Sequence, residues 1–213
     1  MNIEIKDMSK SFKQFTLYQD VSLTFKGNQI IALWGCSGSG KTTLLNIMGM
    51  IEPIDKGSIY FNNKLTKSNK DKIMIRRNIV GYIFQDYGLM NNETVRDNLK
   101  ILYKFKHKCD DKAFESTLNT LGLFNILDKP VYQLSGGEKQ RVAFARLMLK
   151  NPKVILAVEP TSSLDDDNKQ MIKSLLTNFK QQGKLVIVAT HDHDLLDICD
   201  QIINIEKIRH HEG

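Results

Sequence analysis

The feature that most constrains this chain is a short glycine-rich segment that ends in Lys-Thr. The segment, GCSGSGKT, spans residues 35–42 and fits the pattern G-x-x-x-x-G-K-[ST]. An apolar run at residues 30–34 precedes it and a helix-like run at residues 43–48 follows it, as the pattern requires. Glycines let the backbone curl with its N–H groups pointing inward, Lys41 can reach the β- and γ-phosphates, and the Thr42 hydroxyl can ligate Mg²⁺. A glycine-rich turn without a ligand is the weaker alternative, so the segment predicts a nucleoside triphosphate site.

Composition excludes several other classes of protein. The chain has 213 residues, of which 41% are hydrophobic and 25% charged, values typical of a globular protein rather than a disordered or fibrous one. Its longest apolar runs have five residues, far fewer than the roughly 20 of a membrane-spanning helix. The first residues lack a secretory-signal pattern, so we expect a cytosolic chain. The three cysteines are scattered without metal-binding spacing, which favours reduced thiols.

The basic charge of the chain has two possible explanations. A net charge of +6 and a pI of about 9.1 could attract nucleic acid or an anionic membrane surface. One lysine group, within residues 100–108, alternates with Tyr103 and Phe105. A solvated helix face carrying two buried rings explains this group better than nucleic-acid binding does. We therefore expect no nucleic-acid partner.

The period of the apolar residues changes along the chain. Residues 21–25 alternate between apolar and polar, and residues 59–61 are followed by two asparagines, so the first sixty residues are rich in strands. Between about residues 94 and 151 the period becomes helical, for example at i, i+3, i+4 and i+7 from Phe114. Continuous apolar runs beyond residue 150 are typical of parallel strands covered on both faces. This order predicts an α/β core interrupted by a helical insertion.

A second motif narrows the class. Residues 134–141, LSGGEKQR, begin a helix with Ser135 at its N-cap and two glycines that leave the first N–H groups open to an anion. Together with residues 35–42, this motif closely resembles the signature of ATP-binding-cassette (ABC) ATPases. The resemblance covers essentially the whole chain. It implies a P-loop NTPase (RecA-like) core with an N-terminal antiparallel β subdomain and an inserted α-helical subdomain at roughly residues 86–150, within one nucleotide-binding domain of residues 1–213.

The remaining family motifs occur in the family's order. Gln85 resembles the glutamine loop, Glu159 the catalytic glutamate, Asp165 the end of the D-loop at residues 163–165, and His191 the switch histidine. Each residue taken alone has a plain structural explanation, but their order and spacing favour the functional one. The resemblance therefore implies catalytic roles for Glu159, His191 and Gln85.

The same resemblance implies a set of ATP contacts, with ATP and Mg²⁺ as the cofactors. Phe12 would stack on adenine, and Thr42 and Gln85 would hold Mg²⁺. Cys36 could make nucleotide binding sensitive to oxidation, although a loop position that tolerates many side chains explains it more simply. The residues expected to contact ATP are Phe12, Gly35, Cys36, Ser37, Gly38, Ser39, Gly40, Lys41, Thr42 and Thr43.

The family also implies a dimer. Two copies pack head to tail on binding ATP, so that the signature of one faces the phosphate loop of the other. By this resemblance Ser135, Gly136, Gly137 and Glu138 act in trans on the nucleotide of the second copy. The signature donors, Glu159 and His191 would then stabilise phosphoryl transfer by position and charge.

One position departs from the family pattern. The family places Asp immediately before the catalytic glutamate, where it holds Mg²⁺ usually through water, but this chain has Val158. Valine suits a buried strand, so the fold should not suffer. A lost charge-assisted hydrogen bond is worth roughly 1.5–3 kcal/mol, or about ten- to a hundredfold. Either hydrolysis continues slowly or this copy binds ATP without useful turnover, and we favour slow hydrolysis.

The use made of ATP depends on a partner. In the family, the region after Gln85 meets the coupling helix of a membrane permease. The sequence of residues 75–98 most resembles that of the branch containing lipoprotein-releasing, macrolide-export and cell-division ATPases. Within that branch it most resembles the ATPases of bacteriocin export. We therefore expect a separate permease, a peripheral location on the inner face of the cell membrane, and export of a peptide or bacteriocin. A regulatory cassette with little turnover and a soluble ABC ATPase acting on nucleic acid are the alternatives.

Overall fold

Two β-sheets, one antiparallel and one parallel, organise the chain. The computed structural model describes residues 1–13, 15–105, 110–162 and 164–209. Within these ranges the strands are β1 (Ile3–Phe12), β2 (Phe15–Phe25), β3 (Gln29–Trp34), β4 (Lys56–Phe61), β5 (Lys64–Leu65), β6 (Val80–Ile83), β7 (Val154–Val158), β8 (Leu185–Thr190) and β9 (Gln201–Asn204). The helices are α1 (Lys41–Met48), α2 (Asn69–Asn78), α3 (Val95–Lys100), α4 (Asp111–Leu121), α5 (Gly136–Lys150), α6 (Asp166–Gln181), α7 (His193–Leu196) and α8 (Ile205–Arg209).

The strand order separates the two sheets. The antiparallel sheet has the order β2-β1-β4-β5, and the parallel sheet has the order β6-β7-β8-β3-β9. Every pairing in the second sheet is parallel. The carboxyl ends of its strands therefore meet at one edge, where ligands bind in open α/β sheets. The α/β prediction is confirmed.

The parallel sheet is buried on both faces because its side chains alternate. On β3, Ile31 and Leu33 pack with α1 and the antiparallel sheet. Ile30 and Ala32 point to the other face and pack with a cluster that includes residues of α3, α4, α5 and α6. This two-residue alternation is the geometry of a strand, and it explains why the run of residues 30–34 is continuously apolar.

The helical middle of the chain agrees with the predicted periodicity. Thr117, Leu118 and Leu121 of α4 are buried, and the ring of Phe114 lies 6.2 Å from that of Tyr103. Tyr103 packs against the same core, as expected for a ring on a solvated basic face. The side chain of Phe105 lies outside the described residues.

Helix α2 was not predicted. Residues 69–78 form α2, which begins at a capping box between Ser68 and Asp71. Ile75 is its buried residue, so α2 shows no apolar period of the kind that predicts a helix. The segment therefore looked like a polar stretch, since a capping box and a single buried residue leave no apolar stripe in the sequence.

No helix within the described ranges is long and apolar enough to cross a membrane.

Candidate functional site

The glycine-rich loop joins the carboxyl end of β3 to the first turn of α1. Gly40 is the N-cap of α1 and has a φ of 107°, a conformation that favours glycine. Its carbonyl oxygen accepts a hydrogen bond from the Tyr18 hydroxyl at 2.9 Å. A Cβ atom on Gly40 would lie 2.7 Å from that hydroxyl oxygen. Glycine is therefore required here, and Tyr18 fixes the loop against the antiparallel sheet.

The ammonium group of Lys41 lies under the loop. Lys41 is 8% exposed, and its Nζ donates to the carbonyl oxygens of Gly35 at 2.6 Å and Cys36 at 2.9 Å. The ion pairs of the described residues do not include Lys41. A buried cation beside the N-terminus of a helix makes this loop a site for an anion.

The loop forms one wall of an open cavity of about 620 Å³. Gly35 and Cys36 belong to the loop but do not line the cavity. The strands thus bring together side chains that are as far apart in sequence as Phe12 and His191. The lining residues that the sequence analysis singled out are Phe12, Ser37, Gly38, Ser39, Gly40, Lys41, Thr42, Thr43, Gln85, Val158, Glu159 and His191.

An aromatic hairpin forms another wall of the cavity. Phe12 and Phe15 are register partners on β1 and β2, and they are 44% and 54% exposed. The Lys10 ammonium lies 4.8 Å from the centroid of the Phe12 ring. Exposed rings beside an anion site can stack on a planar base. Phe15 was not among the predicted site residues, although a second aromatic residue three positions after Phe12 could have indicated it.

Glu159 and His191 lie next to each other because β7 and β8 are neighbours that end together. Oε1 of Glu159 is 2.8 Å from Nδ1 of His191, and its Oε2 accepts from the Thr190 hydroxyl at 3.3 Å. Glu159 has a φ of 46°, and its N–H donates to the carbonyl oxygen of Ala189 at 2.8 Å. A left-handed glutamate at a strand end is strained. This strained turn directs the carboxylate into the cavity beside an imidazole, where it can orient a water molecule.

Val158 lies where a metal-binding carboxylate was expected. It is 4% exposed and lines the cavity, and it also lines a smaller adjoining space with Thr42, Gln85 and Asp86. The described residues contain no group of three or more His, Cys, Asp or Glu side chains that could hold a metal. Hydroxyl, amide and carboxylate oxygens are nevertheless the ligands that Mg²⁺ prefers, with water and phosphate oxygens completing its shell. The residues present therefore fit the ion without Asp at position 158.

The signature residues lie outside the cavity of their own chain. Ser135 is the N-cap of α5 and forms a capping box: its hydroxyl accepts from the Glu138 N–H at 3.2 Å, and Glu138 Oε2 accepts from the Ser135 N–H at 2.8 Å. This backbone hydrogen bond lowers the pKa of Glu138 below its ordinary value. A Cβ atom on Gly137 would lie 2.9 Å from the side chain of Asn168. A larger residue at position 137 would therefore displace the Asn168 side chain, which lies between α6 and the start of α5.

The D-loop is tied to the signature helix through Asn168. Asp165 is the N-cap of α6 and accepts hydrogen bonds from the backbone N–H and the side-chain amide of Asn168 at 2.8–2.9 Å. The backbone bond lowers the pKa of Asp165. Asn168 Oδ1 in turn accepts from Arg141 Nη1 at 2.9 Å. Ser163, the first residue of the expected D-loop, lies outside the described residues.

A buried amide connects the signature helix to the segment that holds Glu159. Gln140 of α5 is 4% exposed, and its Nε2 donates to the carbonyl oxygen of Pro160 at 2.8 Å. The next residue, Thr161, donates from its hydroxyl to Asp192 Oδ2 at 2.8 Å. Neither link could be predicted from sequence, because nothing in the local pattern distinguishes Gln140 or Thr161 from ordinary polar residues.

Comparison with known proteins decides the family. The chain matches the family model described as ABC transporter over residues 18–162, which is more than half of its length. The chain belongs to the ABC transporter family. Among solved structures, this ABC ATPase superposes on the dimeric post-hydrolysis state of the ATP-binding cassette MJ0796 bound to ADP and Pi. The TM-score is 0.87 at 30% identity, covering 96% of this chain and 95% of that chain.

Curated relatives of this ABC ATPase agree with the predicted branch. The lipoprotein-releasing system ATP-binding protein LolD of Ehrlichia ruminantium is 38% identical over 210 residues, which are 94% of this chain and 92% of LolD. The macrolide export ATP-binding/permease protein MacB of Chlorobium phaeobacteroides is 34% identical over 209 residues, 94% of this chain but 32% of MacB. The predicted branch of lipoprotein-release and macrolide-export ATPases is confirmed.

Proposed function

We propose that this ABC ATPase binds Mg-ATP in the 620 Å³ cavity and hydrolyses it to drive a separate membrane permease. One observation carries this proposal: the buried ammonium of Lys41 and the Glu159–His191 pair face one cavity, although they come from three strand ends. An anion site alone would bind a phosphate group. An anion site that faces a carboxylate able to orient water can also hydrolyse the bound triphosphate.

The phosphate loop and the hairpin hold the nucleotide. When ATP enters, the Lys41 ammonium exchanges the carbonyl oxygens of Gly35 and Cys36 for phosphate oxygens, while the N–H groups at the start of α1 complete the cradle. Phe12 takes the adenine ring, with Phe15 beside it. The Thr42 hydroxyl and the Gln85 amide would hold Mg²⁺, which when bound neutralises charge on the β- and γ-phosphate oxygens.

Glu159 and His191 act on the γ-phosphate. The Glu159 carboxylate orients and polarises the attacking water. His191 keeps its Nδ1 against that carboxylate at 2.8 Å, which leaves the opposite ring nitrogen for the γ-phosphate. Gln85 would contact Mg²⁺ when the site is occupied, and it directly precedes the segment expected to contact the permease.

A second copy of the chain completes the site. In the dimer, Ser135, Gly136 and Gly137 at the start of α5 donate to the γ-phosphate held by the partner, and Asp165 positions that helix through Asn168. Ser135 and Gly136 are exposed and lie outside their own cavity, as a trans role requires. We also propose that residues 86–150 form a helical subdomain that swings α5 into this contact within one domain of residues 1–213.

Glu159→Gln tests the catalytic assignment directly. The amide keeps the size of the side chain but cannot polarise water, so we expect ATP to bind, turnover to fall by at least a hundredfold, and an ATP-dependent dimer to accumulate in size-exclusion chromatography. Ser135→Arg in the Glu159→Gln background should abolish that dimer without lowering ATP affinity. A Glu159→Gln protein that hydrolyses ATP at the parent rate, or that never dimerises with ATP, would refute the proposal.

The permease is proposed to dock in a groove beside the glutamine loop. This groove, of about 280 Å³, is lined by the cations Arg76, Arg146 and Lys150 and by exposed or half-buried rings that include Phe84 and Tyr87. Burial lowers the pKa of Arg146, and its Nη1 donates to the carbonyl oxygen of Gly88 at 2.5 Å. Phe84 precedes Gln85, so a helix pressed into the groove would move a residue of the ATP cavity.

With a permease helix in this groove, the ATPase would lie on the cytoplasmic, inner face of the cell membrane. The identity of the cargo is a separate question. The sequence of residues 75–98 favours export of a peptide or bacteriocin, whereas the two relatives are named for lipoprotein release and macrolide export. Measuring which cargo stimulates ATP hydrolysis by the reconstituted pair would identify it.

One observation favours a second function, that of a regulatory cassette. Val158 removes the carboxylate that usually holds a metal-bound water, so this copy could bind ATP and dimerise without useful turnover. ATP binding with no phosphate release, even with the permease present, would favour this candidate. A soluble nucleic-acid ATPase is the third alternative, and salt-sensitive binding of DNA or RNA would be its signature.

A further inference from the structure

Helix α8 contacts the phosphate loop at residues that do not line the cavity. Strands β9 and β3 are parallel neighbours, and Asn204 pairs with Trp34. The residues that follow the two strands therefore leave the sheet side by side. Glu206, two residues after β9, lies against Cys36, two residues after β3, although they are 170 positions apart in sequence.

The Glu206 carboxylate accepts hydrogen bonds from two donors of Cys36. Its Oε1 accepts from the Cys36 backbone N–H at 2.9 Å and from the Cys36 thiol at 2.6 Å. The same Oε1 would lie 3.5 Å from a Cβ atom on Gly35, so the carboxylate packs closely over the start of the loop. The Glu206 N–H donates to Asn204 Oδ1 at 2.9 Å, which fixes the turn that carries the carboxylate.

The state of the thiol agrees with this contact. The hydrogen bond and the negative charge of Glu206 raise the pKa of Cys36 above its ordinary value. The thiol is therefore held in its protonated form, in which it donates. Thiolate is the reactive form of cysteine, so this contact also makes oxidation of Cys36 slower than its exposure would indicate.

Cys36 connects the Glu206 carboxylate to the rest of the phosphate loop. Its carbonyl oxygen accepts from the Ser39 N–H at 3.1 Å and from Lys41 Nζ at 2.9 Å. The Cys36 N–H lies in one rigid peptide plane with the carbonyl of Gly35, which accepts from Lys41 Nζ at 2.6 Å, so fixing this N–H also fixes the Gly35 carbonyl. The two carbonyls place the Lys41 ammonium beneath the loop until phosphate oxygens replace them, and the Cys36 carbonyl also holds the turn at Ser39. Glu206 and Cys36 do not line the cavity, so their effect reaches ATP only through the loop.

We propose that Glu206 is a positioning residue for ATP binding, which fixes the phosphate loop in its receptive conformation through its two hydrogen bonds to Cys36. A loop that is already ordered loses less conformational freedom when a ligand binds. A fall in the fraction of competent loop raises the apparent Kd by the same factor. The proposal concerns ATP binding by the single chain and is independent of the permease.

The first test separates affinity from turnover. In Glu206→Ala we expect the Kd for ATP, measured by nucleotide fluorescence, to rise about three- to tenfold, while kcat at saturating ATP changes less than twofold. Glu206→Gln keeps an acceptor oxygen and should restore most of the affinity. The matched control is Glu115→Ala, an exposed glutamate on α4. A Kd in Glu206→Ala no higher than in the control overturns the proposal, as does a fall in kcat with an unchanged Kd.

The second test reads the contact itself. In a Cys109→Ser/Cys199→Ser background, Cys36 is the remaining thiol, and its alkylation by iodoacetamide at pH 8 should accelerate in Glu206→Ala because the thiol pKa falls. An unchanged rate overturns the contact. In Cys36→Ala the thiol bond is absent, so adding Glu206→Ala should raise the Kd by a smaller factor than it does in the parent; an undiminished factor contradicts coupling through Cys36. A failure of Lys41→Ala to weaken ATP binding would instead count against the ATP site, independently of Glu206.

Discussion

Replacing Val158 by Asp should raise the ATPase activity of this chain. Val158 ends β7 and lines the cavity together with Thr42 and Gln85, the two side chains proposed to hold Mg²⁺. A carboxylate at this position can accept a hydrogen bond from a metal-bound water. Such charge-assisted bonds contribute roughly 1.5–3 kcal/mol, equivalent to about ten- to a hundredfold in rate. We therefore expect Val158→Asp to hydrolyse ATP about tenfold faster or more.

The assay is steady-state phosphate release at saturating ATP, repeated over a range of Mg²⁺ concentrations. The half-saturating Mg²⁺ concentration should fall together with the rise in rate. Val158→Asn is the matched control. Asparagine has the shape of aspartate without its charge, so the rate of hydrolysis should rise much less in this variant. Removing a buried valine costs about 2 kcal/mol of stability, so a thermal melt must show that the variants are folded. A folded Val158→Asp no faster than the parent would refute the explanation of this position.

Three further predictions test other parts of the molecule. Phe12→Ala should raise the Kd for ATP about five- to a hundredfold, because base stacking on an aromatic ring is worth about 1–3 kcal/mol; Phe124→Ala, an exposed ring away from the cavity, should have no effect, and equal effects would refute the stacking role. Glu138→Gln should destabilise the fold at pH 7 by about 0.3–1 kcal/mol, because the amide still accepts from the Ser135 N–H but lacks the negative charge beside the N-terminus of α5. Because the folded-state pKa of Glu138 lies below the ordinary value of 4.5, this difference is full above that value and lost as pH falls through the folded pKa; a difference in melting temperature that persists at pH 2 contradicts the charged cap. Arg146→Glu should weaken permease-stimulated hydrolysis about tenfold or more and leave the basal rate unchanged, whereas Lys112→Glu on α4 should change neither; equal stimulation in both variants would exclude the groove as the docking site.

The local features of the site could be predicted from sequence because their physics is local. The phosphate loop is a run of eight residues between a strand and a helix, and its anion site is made by its own backbone. The N-cap at Ser135 could be predicted for the same reason, because its partner Glu138 lies three residues away. Parallel strands were indicated by continuous apolar runs, whose two buried faces the structure shows at Ile30 and Ile31.

Features that depend on tertiary contacts could not be predicted. Nothing in the sequence around Glu206 indicates that it meets Cys36, because β9 and β3 must first pair. The same holds for Gln140 and Pro160, which are joined by a buried hydrogen bond. Helix α2 was missed for a different reason, since a helix with one buried side chain has no apolar period to detect.

ATP affinity of Lys41→Ala tests the central claim most directly. The parent places a buried ammonium under the phosphate loop, so its removal should raise the Kd for ATP about ten- to a hundredfold, the value of a charge-assisted hydrogen bond. Lys112→Ala, an exposed lysine on α4, should bind ATP as the parent does. If Lys41→Ala binds ATP with parental affinity, the loop is not the nucleotide site and the account is wrong.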